Sequence, residues 1–268
     1  MTTAISPLQP VTNRGPLRGF GNLFGHEMRL WWGTRKWLIH LLIWVAPLNS
    51  LIALVTYDLV QNATGQSPQQ ALAEVSEVFI IILTLGSAIG VIASVQGAII
   101  GEKQLGTAAW LLSKPMARPA FILAKLVAHT LSFLALAIIL PALVFAGQML
   151  WLWQLPLAWA PFLAALSVTT LHLLFYLTLV ILLGTLFNDR GPVAGVSLAI
   201  LLGGLVLTQF LPMELLSPTP VLLVQAASAL ATGQSLPQPV AAIAITATAV
   251  WTVLFIGFAL WRFAREEF

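Results

Sequence analysis

The chain has 268 residues, of which 59% are hydrophobic and 8% charged. A water-soluble domain carries about 25% charged residues, so this composition excludes a soluble fold and leaves lipid as the solvent. The net charge of +3 is no signature of a nucleic-acid partner, because where the basic residues lie matters more than their sum. Cysteine is absent, which excludes a disulfide framework, a thiolate metal site and a cysteine nucleophile.

Residues 1–19 are polar and contain Pro and Gly, with no early apolar core. They read as a flexible cytoplasmic N-terminus rather than a secretory signal. Residues 20–37 read as an amphipathic interfacial helix. Phe20, Leu23, Phe24, Met28 and Trp31 recur at helical spacing, with Asn22, His26, Arg29 and Lys36 on another face. A bilayer crossing takes about 20 apolar residues. Six such segments follow, at 38–57, 78–101, 121–147, 161–187, 193–211 and 240–261. Lys125 is expected to snorkel from the third to the interface. Pro141 lies inside that span, where a neighbouring helix is expected to satisfy the carbonyl it frees. Between the spans, 58–77 reads as an acidic outer loop, 102–118 as a charged cytoplasmic loop and 221–231 as an interfacial or re-entrant outer helix. Residues 20–268 thus form a single all-α membrane domain.

Orientation follows from charge. In the six-span scheme all 12 basic residues fall on one side, while Asp58, Glu74, Glu77 and Glu214 are the charges of the other. The positive-inside rule makes the basic side cytoplasmic and puts both termini there. Trp151, Trp153 and Trp159 then mark the outer boundary, and Trp37 and Trp261 the inner one.

Catalytic chemistry is missing. The chain has no phosphate-cradling Gly-Lys-Ser/Thr loop, no His-Glu-x-x-His zinc motif and no Gly-x-Ser-x-Gly elbow. No acidic residue lies inside a span, where ion-coupled transporters keep one. Asn49, Gln96, His129 and His172 are the polar residues nearest mid-membrane, and helix packing accounts for them. The chain is therefore expected not to be an enzyme, to hold no cofactor or metal, and to draw any energy from another chain.

The segment after the second span carries the reading. Residues 102–113 can form a short amphipathic helix with Leu105, Ala108, Ala109 and Leu112 on one face, ended by Pro115. This loop resembles that of the type-2 permeases of ATP-binding-cassette (ABC) transporters. Glu102, Gly106, Thr107, Leu111, Leu112, Pro115, Arg118 and Lys125 match the family pattern, while Ala117 and Ala124 depart from it. The aromatic-basic run from Trp31 to Lys36 and the turn Asn188-Asp189-Arg190-Gly191-Pro192 are similar to family features as well.

The resemblance implies a permease subunit of an ABC exporter in the plasma (inner) membrane, paired with a second permease subunit, expected to be a second copy of this chain. A separate ATPase subunit would bind ATP and Mg. It implies that Glu102, Lys103, Gly106, Thr107, Leu111, Leu112, Pro115 and Arg118 couple to that ATPase, with Glu27 and Arg29 of the interfacial helix 20–37, which is similar to the family's N-terminal elbow helix, adding contacts. The alternative is a membrane anchor or assembly subunit that transports nothing. The cargo is not legible in the sequence.

Overall fold

A computed structural model of the chain describes residues 15, 17–62, 67–106 and 116–266. Among them there is helix and no strand. Six stretches are long and apolar enough to cross a membrane: Lys36–Val60, Pro68–Gln104, Arg118–Leu152, Trp159–Leu186, Arg190–Leu207 and Val240–Ala264, here spans 1 to 6. The chain is a multi-pass membrane protein.

The elements, in chain order, are α1 (Phe20–Trp32), α2 (Lys36–Trp44) and α3 (Ala46–Asn62), then α4 (Pro68–Val95) and α5 (Ile100–Gln104). Span 3 is built from α6 (Arg118–Phe133), a π-helical stretch Leu134–Ile139, α7 (Leu140–Gly147) and a second π stretch Gln148–Leu152. Then come α8 (Trp159–Leu186), α9 (Arg190–Leu207), α10 (Met213–Leu216), α11 (Leu222–Ala231) and α12 (Val240–Ala264).

The segment 58–77 is mostly helix, not loop. Helix α3 runs on to Asn62, and α4 starts at Pro68. Ser67 accepts from the Gln70 amide while Gln70 Oε1 accepts from the Ser67 amide, and Pro68 opens the first turn. This reciprocal cap satisfies amides that a helix start otherwise leaves orphaned. Glu74 and Glu77 therefore sit on a helix, both exposed.

Pro141 is accommodated by a local change of helix geometry. The turn before it widens to π geometry, and the Leu140 amide donates to the Ala135 carbonyl. Proline lacks an N–H and crowds the carbonyl four residues back, and a local π-bulge accommodates both.

Span 4 is the centre of the bundle, packed on by α4, α11 and α12. Its most apolar window is 72% buried, against 17% for spans 1 and 5. Helix α11 is more deeply placed than an interfacial helix would be. Leu222, Leu223 and Ala227 are fully buried, and the helix packs on α4 and α8. Just before it, the Pro218 carbonyl accepts from Trp251 Nε1 at 3.3 Å, and Val221 lies 3.2 Å from where a Gly204 Cβ would stand. Trp251 is 11 residues into α12, about 17 Å along its axis. Residues 213–231 thus re-enter the bundle.

Candidate functional site: a charged node at the basic end

The polar chemistry of the molecule concentrates where spans 2, 3, 4 and 6 end on the basic side. Helix α1 lies lengthwise against α6. The Arg18 carbonyl accepts from the Ala117 amide at 3.0 Å, Glu27 meets Lys125 at 2.5 Å, and Trp31 Nε1 donates to His129 Nδ1 at 3.0 Å. These contacts advance together along both helices, so the two run parallel over about three turns. The register follows from the four-residue repeat of a helix face. Leu23, Glu27 and Trp31 form the buried stripe of α1.

Lys125 is the pivot. It is 3% exposed and does not snorkel. Its Nζ pairs with Glu27 Oε1 at 2.5 Å and also with Glu102 Oε1. Glu27 is itself buried, so its carboxylate is turned inward rather than presented to a partner. A buried charge is tolerable only when paired and hydrogen-bonded, and Lys125 meets that condition with two carboxylates from two different elements.

The next residue binds the other half of the bundle. Lys103 Nζ pairs with Glu266 Oε1 at 3.0 Å and donates to the Thr185 carbonyl at 3.1 Å. Gln104 Nε2 reaches the Asn188 carbonyl at 2.9 Å. Glu266 also pairs with Arg262 at 2.7 Å. Arg118 Nη1 donates to the carbonyls of Ala264 and Glu266 at 2.8 and 2.7 Å. The single turn α5 therefore ties α1 and span 3 through Glu102, and spans 4 and 6 through Lys103.

Two glycine pairs in span 2 make room for side chains from other spans. A Cβ on Gly90 would stand 2.0 Å from the Trp44 ring of span 1, and one on Gly86 3.2 Å from it. Toward the node, Gly97 would meet the Arg190 guanidinium at 2.9 Å and Gly101 at 3.5 Å. Arg190 opens span 5, so span 2 touches it at this level too.

The chain leaves the node at Gly106, whose φ of +68° is open to glycine and costly for other residues. Leu105 beside it is 81% exposed. Thr107, Leu111, Leu112 and Pro115, and with them most of the expected helix at 102–113, lie outside the described residues. Arg29 is exposed and donates to the Gly25 carbonyl of its own helix at 3.3 Å. Of the sequence-derived site, the structure joins Glu27 and Glu102 through Lys125, and ties Lys103 and Arg118 to the end of α12. The share of Glu266 and of Lys125 in this node was missed. The signal for Lys125 was its place with Glu102 in the same loop motif, 23 residues on.

Mid-membrane polar groups pack rather than assemble. His172 is fully buried against Tyr176, ring centroids 5.0 Å apart, and does not meet His129. Thr84 and Thr169 join spans 2 and 4 by a hydroxyl bond of 2.9 Å, and Gln148 donates to the Asn49 carbonyl at 3.1 Å. Among the described residues there is no cluster able to hold a metal ion. Apart from the node, an apolar cleft of about 550 Å³ opens between span 5, Pro218–Val221 and Trp251 of span 6.

Five apolar spans around the central span 4, closed at one end by a charged node, make a multi-pass membrane subunit. Residues 34–268 match the family model described as "ABC-2 family transporter protein", and the chain belongs to that family. Comparison with curated proteins gave no match.

Proposed function

We propose that this chain is the membrane-spanning half of an ATP-driven exporter, with its basic end in the cytoplasm of a plasma-membrane-bounded cell and a separate ATPase subunit docked there. The observation that carries the reading is the node itself, in a chain of the ABC-2 family. Residues 102 and 103 stand next to each other and grip opposite halves of the bundle. A push on the chain at Leu105 and Gly106 then acts on spans 2, 3, 4 and 6 together. Leu105 and Arg29, both exposed at this end, are groups the ATPase would touch directly. Glu102 and Glu27 act one step behind, by holding Lys125. ATP closing the ATPase pair would bias two arrangements of this node, and bistable packing of that kind is what converts a small local push into movement of helices.

The experiment is purification in mild detergent from the native membrane, with mass spectrometry of the accompanying chains, followed by Glu102→Gln in the purified complex. The expected result is a stoichiometric ATPase bearing a phosphate-binding loop. Glu102→Gln should keep that partner and its basal ATP hydrolysis but lose the link between hydrolysis and transport. Glutamine is the suitable variant, because arginine at 102 would set a cation against buried Lys125 and unfold the node. A chain that purifies with membrane partners and no ATPase removes the exporter reading and leaves an anchoring subunit.

A further inference from the structure

The apolar cleft of about 550 Å³ between span 5, the irregular segment Pro218–Val221 and the middle of span 6 has causes in the sequence. Gly203 and Gly204 take side chains away from the wall of span 5. Among the described residues, and apart from the helix's own backbone, nothing lies within 4 Å of where a Gly203 Cβ would stand. Pro218 and Pro220 keep α10 and α11 from joining as one helix, because proline in a helix interior removes an amide and crowds the preceding turn. The result is an indentation, not a flat face. Phe175 of span 4, Leu216 and Val221 border it and are 4 to 5% exposed, while Ile200, Leu207 and Trp251 at its mouth are 38 to 46% exposed.

Non-helical backbone is tolerated at membrane depth where its polar groups are paired within the protein or meet water. Here they are paired within. The Glu214 carbonyl accepts from Ser217 Oγ at 2.8 Å, and the Leu216 carbonyl accepts from the Thr219 hydroxyl at 2.6 Å. The Pro218 carbonyl accepts from Trp251 Nε1 at 3.3 Å, and the Pro220 carbonyl from the Leu223 amide at 3.1 Å. Thr219 and Trp251 border the cleft, so their side-chain protons are already engaged. Among the described residues no charged side chain borders it. Such a lining gives water little to bind, and apolar cavities of this kind stay dry.

Size and place then select the occupant. A dry cavity of about 150 Å³ already takes a benzene, and this one is several times larger. From Ala199 to Leu207 its wall is about 12 Å long, close to the ~15 Å that one leaflet contributes to the hydrocarbon core. Span 5 starts at the node with Arg190, so the wall is the half of that span remote from the node. The mouth adjoins the apolar perimeter of span 6, where Val250 and Leu254, next to Trp251 on the helix, are 51 and 41% exposed. Left empty, the lining would lose its dispersion contacts on one side.

We propose that this cleft holds one acyl chain of a lipid from the leaflet opposite the node, recognised through hydrocarbon contact and not through the headgroup. The chain takes the place of the side chains that Gly203 and Gly204 lack and wedges span 5 against the re-entrant segment 213–231. The site rests on the membrane bundle alone and stands apart from the exporter reading.

The test is photolabelling of the full chain in phosphatidylcholine bilayers that contain a trace of phosphatidylcholine with a diazirine on one acyl chain, with the labelled residues read by mass spectrometry. Phe175 and Val221, too buried for lipid passing along the perimeter, should be labelled as well as Val253, which is 68% exposed to any lipid. A diazirine at the chain terminus should favour Phe175, and one near the glycerol should favour Leu207. Gly203→Leu fills the cleft and improves helix propensity, and label should be lost from Phe175 and Val221 but kept on Val253. Gly195→Leu, equally open but away from the cleft, should lose none. Phosphatidylglycerol carrying the same chain should label these residues as phosphatidylcholine does. Label on Val253 with none on Phe175 or Val221 overturns the site and leaves ordinary perimeter lipid. Equal loss with Gly195→Leu overturns the cleft as the place of binding. Leu207 labelled from the chain terminus and not from the glycerol end overturns the leaflet, and a preference for phosphatidylglycerol overturns recognition by the chain alone.

Discussion

Lys125 answers two carboxylates in a place where water is scarce, and that asymmetry sets what each substitution does. Removing the ammonium strands Glu27, which is 5% exposed, and Glu102, which keeps partial access to water. Breaking a buried pair from one side costs about 3–5 kcal/mol, because the remaining charge loses its counterpart. Lys125→Met is therefore expected to lower the thermal unfolding midpoint of the purified chain sharply. Glu27→Gln together with Lys125→Met should recover most of the loss, since the uncompensated buried carboxylate is then gone. Midpoints in detergent for the two single variants and the double decide this. If Lys125→Met unfolds at the wild-type temperature, the ion pairs hold nothing together. The triad was only half legible. Glu102, Arg118 and Lys125 belong to one readable loop motif, whereas Glu27 meets Lys125 across 98 residues. A lysine near a span end reads as a surface anchor whichever way it points, because its long stem permits either direction.

Between elements, the decisive contacts are those made through missing side chains. Gly90 lets the Trp44 ring lie on span 2, and a Cβ there would stand 2.0 Å from ring carbon. Gly90→Ala should push span 1 outward and destabilise the chain by about 1–3 kcal/mol, the usual cost of overpacking. Trp44→Ala in the same chain should remove most of that penalty by vacating the space. A Gly90→Ala variant as stable as the wild type, followed by thermal unfolding, would show that span 1 is free to yield. Gly86 and Gly90 stand at a spacing typical of close helix packing, but spacing says nothing of what approaches, so their partner was not legible. Span number was legible from apolar length. The extension of span 2 beyond its apolar part was also written in the chain, as Ser67-Pro68-Gln69-Gln70, a capping signature with Pro at the first helical position. The depth of α11 was not, since an apolar stretch of this length suits an interface and a bundle interior equally.

At the scale of the whole molecule, span 4 is mostly covered while spans 1 and 5 leave most of their surface to lipid or to another chain. The two faces of span 5 differ in kind. Val193, Ser197 and Leu201 are buried against the bundle. Two residues on from each, and so about 200° around the helix, come Gly195, Ala199 and Gly203, with Gly191 a turn earlier. Among the described residues, and apart from the helix's own backbone, nothing lies within 4 Å of where a Cβ would stand on Gly191, Gly195 or Gly203. Lipid has no need of such a stripe, while a second helix does, because small residues let backbones approach closely where the hydrophobic effect gives no drive. The second permease subunit that the family resemblance implies would use this face, placing two copies of span 5 against each other. The absence of cysteine makes the test clean. Ala199→Cys should form a disulfide-linked dimer in native membranes. Adding Gly195→Ile should abolish the link while the chain still inserts, since the branched side chain holds the two backbones apart. A cysteine at Leu143, exposed on span 3, serves as the control for random collision and should stay monomeric. If Leu143→Cys links and Ala199→Cys does not, the second copy packs elsewhere, and the stripe on span 5 faces lipid.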